Sequence, residues 1–246
     1  MKFLLSLVLL FCAGCGTFSQ KQWSVGMDPS WYPLKFGDRE ANITAFSTEL
    51  LSMIGSKEDI SITKISVSWD DLMEGLQKGE YEAILSSMPP YLFNQKEFDF
   101  SSIYLPLGPV FMVKENSSLH SIDDLKGKEV GVVSGSTDDI LIQDKSGVII
   151  RYYDSIPAML NALASGQIDG AITGILPANA YIQDLYKNEL KIISPPLTEE
   201  GLRLVTLHNQ GKTLLKAFNK GLEALKKDGS YEKMLTKWSI SINYQK

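Results

Sequence analysis

Past residue 15 this chain has no cysteine, and Cys12 and Cys15 are the only two it carries. The remainder can therefore hold no disulfide, no cysteine-bound zinc and no thiol nucleophile. Histidine is nearly as scarce. His120 and His208, the only two, lie far apart in expected surface segments and match no triad or metal spacing. Arginine occurs three times, at Arg39, Arg151 and Arg203, and the surface is the expected place for each. Basic and acidic residues number 24 and 29, and their mixing leaves no basic stripe, so nucleic acid is excluded as a partner. After residue 15 no run is long and apolar enough to span a bilayer. No motif calls for a cofactor or a metal. Such a chain must rest on its hydrophobic core, and about 230 residues suffice for one large domain or two small ones.

What is present begins with "MKFLLSLVLLFCAGC". A lysine, an apolar run and small residues ending at a cysteine have the anatomy of a signal peptide. Residues 1–15 are expected to be a lipoprotein signal with Cys15 lipidated. Cys12 stands three before it, where leucine is usual, and an ordinary cleaved signal is the alternative. Residues 16–22 read as a polar tether. The expected location is the periplasm or cell envelope, with membrane contact only through the lipid.

Strand-like and helix-like segments then alternate, which implies an α/β fold. One unit occurs twice. In "WDDLMEGLQKGEYEAILSS", Leu72 and Leu76 share a helix face, Gly79 ends the helix and Glu82 precedes a buried strand. In "YDSIPAMLNALASGQIDGAITG", Met159, Leu163, Gly166 and Asp169 repeat that spacing. Two such units about half a chain apart suggest two similar lobes, with chance similarity of a common helix-Gly-strand unit as the alternative. Each unit ends at a polar strand mouth, Ser86–Ser87 in one and Thr173–Gly174 in the other. Crevices beyond strand ends are where open α/β sheets bind ligands. "SGSTDDIL" reads as a turn and helix start, with Ser136 and Thr137 as caps and Asp138 and Asp139 in the first turn.

Taken in order, "VGMDPSWYPL", "WDDLMEGLQKGEYEAI", "EFDFSSIYL", "SIDDLKGKEVGVVSGST" and "FNKGLEALKKDGSYEKMLTKW" resemble the family 3 solute-binding proteins, the amino-acid receptors of ABC importers. The resemblance implies a two-lobe periplasmic-binding-protein-like fold of type II with a ligand cleft between lobes. It implies a first lobe from residues 23–104 and 203–246 and a second from 109–197. Crossings are expected near 104–108 and 198–203. It also implies a monomer that delivers a small solute to an ABC permease of the inner membrane, without catalysis. A dehydratase on the same fold is the enzymatic alternative, with Asp28 and Glu200 as spare acids. A sensing receptor without transport is the other.

Carried over position by position, the resemblance makes Trp31 and Trp69 a ring sandwich for the ligand, with Asp28 near its side chain. Ser86 and Ser87 line the first mouth. The arginine that holds an α-carboxylate in relatives is Asn94 here, a clamp threonine is Pro89, and the acid that pairs the α-ammonium is Gly174. The Ser136–Thr137 turn remains, with backbone N–H groups that suit an anion. Asn94 cannot make the two-point charged fork of arginine. Losing two charge-assisted pairs weakens a free amino acid by on the order of 4–6 kcal/mol. The expected guest is therefore non-standard, planar or cationic, or is anchored in another way. Arg203 is the remaining candidate for such an anchor.

Overall fold

A computed structural model of the chain describes residues 21–34, 36, 38–143 and 145–245. The expected signal peptide and Cys15 lie outside them. Regular structure begins with β1 (Gln22–Met27), so the end of the expected tether is already strand. There follow α1 (Glu40–Glu58), β2 (Ser61–Ser66), α2 (Trp69–Lys78), β3 (Ala83–Ser86), β4 (Phe98–Phe100) and β5 (Leu105–Pro106). The middle of the chain supplies β6 (Pro109–Lys114), β7 (Glu129–Val133), α3 (Ile140–Gln143), β8 (Ile149–Tyr153) and α4 (Ile156–Ser165). Next come β9 (Gly170–Gly174), α5 (Ile175–Asp184) and β10 (Leu190–Ile192). The chain closes with β11 (Gly201–Leu207), α6 (Lys212–Lys227) and α7 (Ser230–Lys237).

The strands form two sheets, ordered β2-β1-β3-β11-β4 and β8-β7-β9-β6-β10, with β5 added to β11. Both have the same grammar: two parallel pairs, then two antiparallel ones. In the first, Val25, Met27 and Leu204 pack against Phe46, Phe218 and Leu222 of α1 and α6. Its other face buries Ile84 and Val205 against Leu72 and Leu76 of α2. In the second, Met159 and Leu163 of α4 and Ala178 of α5 cover one face, and Leu119, Leu125 and Ile142 the other.

The repeat read from the sequence holds at the level of single bonds. Ser68 caps α2 by accepting from the Asp71 N–H, and Ser155 caps α4 by accepting from that of Ala158. Gly79 and Gly166 end the two helices at φ of 74° and 79°, a left-handed turn that favours glycine. Glu82 then accepts from the Ser24 N–H of β1 at 2.7 Å. Asp169 accepts from the Glu129 N–H of β7 at 2.9 Å. Each acid thus ties its helix–strand unit to the neighbouring parallel strand, β1 or β7.

Two crossings join the sheets, and they are bonded to each other. Leu105–Pro106 pairs with Leu202–Gly201, and the N–H groups of Leu107 and Gly108 both donate to the Glu200 carbonyl, at 3.0 and 3.3 Å. A third link was not legible in the sequence, which kept residues 203–246 with the first lobe. Beyond α7, Ile240 is buried in the first core and Ile242 touches the cores of both sheets. Asn179, buried in α5, accepts from Ser241 Oγ at 3.0 Å and from the Asn243 N–H at 3.2 Å. The Gln245 N–H then donates to the Ile192 carbonyl of β10 at 2.9 Å.

Replacing Asn179 by alanine leaves the Asn243 N–H without its acceptor. We expect a loss of about 1–2 kcal/mol in denaturant unfolding, with faster hydrogen exchange at Asn243. Unchanged stability and exchange would remove this anchoring role.

Candidate ligand-binding site

The ends of β1, β3 and β11 build one edge of the first sheet. Val25 pairs with Ala83 and Gly26 with Ile84, which carries Asp28, just past β1, to a place beside Ser86. On the other side of β3, Arg203 lies opposite Ser86. Paired residues share a sheet face, as do residues two apart in a strand. Asp28, Ser86 and Arg203 therefore form a row on the face that α2 covers. Trp69 is the first residue of α2. A narrow cavity of about 10 Å³ brings together Asp28, Trp31, Tyr32, Trp69, Ser86 and Ser87, with room for little more than a water. It is the first-lobe half of the candidate site.

Within it, Asp28 is 6% exposed and accepts from the Ser30 N–H at 2.9 Å, with Ser30 Oγ within 2.8 Å of both oxygens. Ser86 Oγ accepts from the Met88 N–H at 3.1 Å, leaving its own O–H to donate. Trp31 is not an open stacking face. It is 4% exposed, and its indole N–H donates to Thr44 Oγ1 at 2.9 Å. The ring that meets Trp69 is Tyr32, edge-on with centroids 5.8 Å apart. Both are open to solvent, at 38% for Trp69 and 60% for Tyr32. Tyr32 was missed in the sequence because one backbone turn decides which of two adjacent aromatics points outward.

Asn94 is not in this cavity. It opens a short 3-10 turn, and its amide donates to the Pro89 carbonyl at 2.8 Å. The two residues at the family's clamp positions are thus bonded to each other and close the loop. Tyr91, Leu92 and Phe93 on that loop face solvent.

The second lobe brings its strand ends to the crossings. Val130 pairs with Gly170 and Gly131 with Ala171, which sets the turn after β7 beside Gly174. Gly174 adjoins the first crossing, since the Ile175 N–H donates to the Gly108 carbonyl at 3.1 Å. The Ser136–Thr137 turn differs from its expected form. α3 is a single turn that starts at Ile140, so Asp138 and Asp139 precede it. The Ser136 N–H is used on the Val133 carbonyl, and Ser136 Oγ accepts from the Asp138 N–H at 3.3 Å. This leaves a poor cradle for an anion. Asp138 also makes it an acidic one: burial, then the charge of Glu200 on the second crossing, pushes its carboxyl up to about 6. Ser136, Thr137 and Gly174 do not line the cavity at Ser86.

A larger cavity of about 580 Å³ lies between the lobes, lined by Phe36, Ile43, Leu176, Pro177, Tyr181 and Ile240 among others. Its charges, Arg39 and Asp184, pair with each other at 3.7 Å, and none of the residues singled out above lines it. A binding site combines a pocket with a few convergent polar groups, and the polar groups converge at the row at Ser86 rather than here. His208 pairs with Asp99 at 2.9 Å, and Arg151 with Glu129 at 2.6 Å. Arg203, expected at the surface, is instead 8% exposed.

Comparison with known proteins agrees with this architecture. Residues 23–241 match the bacterial extracellular solute-binding proteins, family 3. The chain is 28% identical to an arginine-binding periplasmic protein of Mannheimia haemolytica, over 94% of this chain and 96% of that one. It is 26% identical to the L-cystine-binding protein TcyJ of Escherichia coli, over 87% and 81%. In fold it is similar to the L-cystine solute receptor of Neisseria gonorrhoeae in its unliganded open conformation. That likeness has a TM-score of 0.71 and 21% identity, covering 92% of this chain and 96% of that one.

The raised carboxyl of Asp138 has a signature in stability. Between its ordinary value of 3.8 and about 6, the folded state holds a proton that the unfolded state has released. Its contribution therefore falls as pH rises through that window and stays low above it. We expect Asp138→Asn to match the parent near pH 4 and to melt higher at pH 7. A difference in melting temperature that does not grow with pH would contradict this.

Proposed function

This chain belongs to the bacterial extracellular solute-binding proteins, family 3, and we propose that its guest is a small amino-acid-like solute bearing a cationic group. The observation that carries this reading is the charge at the cleft. Among the described residues, Asp28, Asp138 and Glu200 have no basic side chain within ion-pair distance. Beside them, the solvent-open pair Tyr32 and Trp69 offers ring faces to a cation or a planar group. A relative named for arginine, similar over nearly its whole length, supports the same class. Asn94 and Gly174 lack the charges of the usual clamp, so the amino and carboxylate ends are held by other groups.

The protein is a binding protein rather than an enzyme, in keeping with relatives named for the solutes they bind. In this reading it works in the periplasm or at the cell envelope, attached through Cys15, and hands its solute to an ABC permease. Closure of the lobes is the working step. The guest shifts the open–closed balance only by contacts it gains in the closed form. Asp138 on the second lobe and the row at Ser86 on the first are placed to supply them. Closure also takes the exposed Tyr32–Trp69 pair out of water, where a ring–cation contact strengthens.

Isothermal titration with L-arginine, L-glutamine and choline at pH 7.5 tests the charge preference. We expect a cationic guest to bind at least tenfold tighter than glutamine, and Asp138→Asn to remove most of that margin. Glutamine bound as tightly as arginine would sink the reading. Tyr32→Ala and Trp69→Ala should each weaken binding by about 1–2 kcal/mol with little change in stability. Trp31→Ala should instead lower the melting temperature. Unchanged affinity in both ring variants would remove the aromatic contact.

A further inference from the structure

Arg203 is the charged side chain that the reading above leaves unused. Its guanidinium carries five N–H donors in a rigid fork. Nη1 donates to the Ser101 carbonyl at 2.9 Å and Nη2 to the Glu199 carbonyl at 3.3 Å. Nε is fully covered and meets no acceptor. Among the described residues the single carboxylate within ion-pair reach is that of Glu199, 3.9 Å away on a side chain 89% exposed. Water and salt screen a pair of that length and exposure. Asp28, two strands away in the row, lies beyond ion-pair distance of Arg203. Burial also lowers the pKa of the guanidinium, the mark of a charge that its surroundings do not repay.

A buried charge without a close counter-ion is unfavourable, and an apolar side chain of similar volume packs at lower cost. The same face shows the alternative. Ile84 and Val205, the neighbours of Ser86 and Arg203 two residues along each strand, are fully buried and apolar. The position of Arg203 is also not arbitrary. It stands opposite Ser86 in register, a residue that lines the first-lobe cavity, and it is the third residue of the strand that leaves the second crossing.

We propose that Arg203 is the anion anchor of the cleft, holding a carboxylate of the guest from the strand beside Ser86. The inference rests on the solute-binding reading and adds a second group to the guest: a carboxylate toward Arg203, with the cationic group toward Asp138 and Glu200. The charge absent at Asn94 is thereby supplied from the neighbouring strand, and the Ser86 O–H is free to donate to the same oxygen pair. The loop from Pro89 to Asn94, closed on itself, has no part in it.

Two measurements on the full mature chain test the anchor. With three arginines in the chain, the ¹⁵N-labelled Nε–H signals can be assigned by substitution, and acetate is titrated against chloride as the control. We expect acetate, and not chloride, to move the Arg203 signal. In parallel, L-arginine, L-histidine and L-cystine are each compared with the amine that lacks the carboxylate: agmatine, histamine and cystamine. The wild type should bind at least one amino acid 100-fold or more tighter than its amine. Arg203→Met should collapse that ratio to within threefold, chiefly by weakening the amino acid, and Arg203→Lys should keep part of it. An Arg203 signal indifferent to acetate, equal binding of acid and amine by the wild type, or a ratio that survives in Arg203→Met each overturns the anchor. If Arg203→Met fails to fold, Arg203→Lys and the wild-type spectra decide. If acetate moves the signal but no member of the panel binds, the anchor stands and the amino-acid reading of the guest falls.

Discussion

The Glu200 carbonyl accepts two hydrogen bonds from the opposite crossing, and the geometry of both lobes hangs from that point. It holds the N–H groups of Leu107 and Gly108, so the two connections behave as one ribbon rather than as independent linkers. The fit there is tight. A Cβ at Gly108 would stand 2.8 Å from the Thr198 carbonyl oxygen and 2.7 Å from its Oγ1, so the crossings approach this closely only with glycine at 108. The next bond out, from the Ile175 N–H to the Gly108 carbonyl, places the second-lobe mouth at Gly174. Three residues beyond Glu200 the chain presents Arg203 to the first-lobe mouth. A change that spreads the crossings moves both halves of the site together.

The two lobes repeat their scaffold and differ at their mouths. Serine caps, left-handed glycines and a carboxylate bonded to the adjacent parallel strand recur in both because each solves the same problem: ending a helix and seating the next strand beside a parallel neighbour. The mouths are under no such constraint. One has a buried acid, two serines, two open rings and an arginine on the adjoining strand. The other has a glycine at the strand end and a half-buried aspartate under the field of Glu200. The result is charge of opposite sign at separated places on the two mouths, and in the proposed reading that separation is what selects a guest.

Much of the fold was legible because its signals are local. Leu72, Leu76 and Gly79 announce a helix and its stop by spacing alone, and their echo at Met159, Leu163 and Gly166 predicts the second lobe. The family resemblance ordered the pieces. The site was less legible, for three physical reasons. Trp31 and Tyr32 are adjacent, so a left-handed residue at Trp31, φ 58°, decides which ring is buried, and composition does not reveal it. Arg203 looks like a surface arginine until strand register sets it opposite Ser86, a pairing between residues 117 positions apart in the chain. Asp138 read as part of a helix start, but the helix begins later, and its carboxyl is perturbed by a crossing residue distant in sequence. Tertiary register and field, unlike periodicity, are not written in any short window.

The tail beyond α7 gives the molecule a mechanical property of its own. A ribbon of two bonded crossings bends about one line. The tail joins the lobes elsewhere, from the core around Ile240 to the edge strand β10 through Asn179 and Ile192. A tether set off a hinge line must change length as the hinge turns. Opening about the crossings would therefore load the bonds at Asn243 and Gln245, and the resistance to it would come from a handful of tail residues, none of which lines the cavity at Ser86.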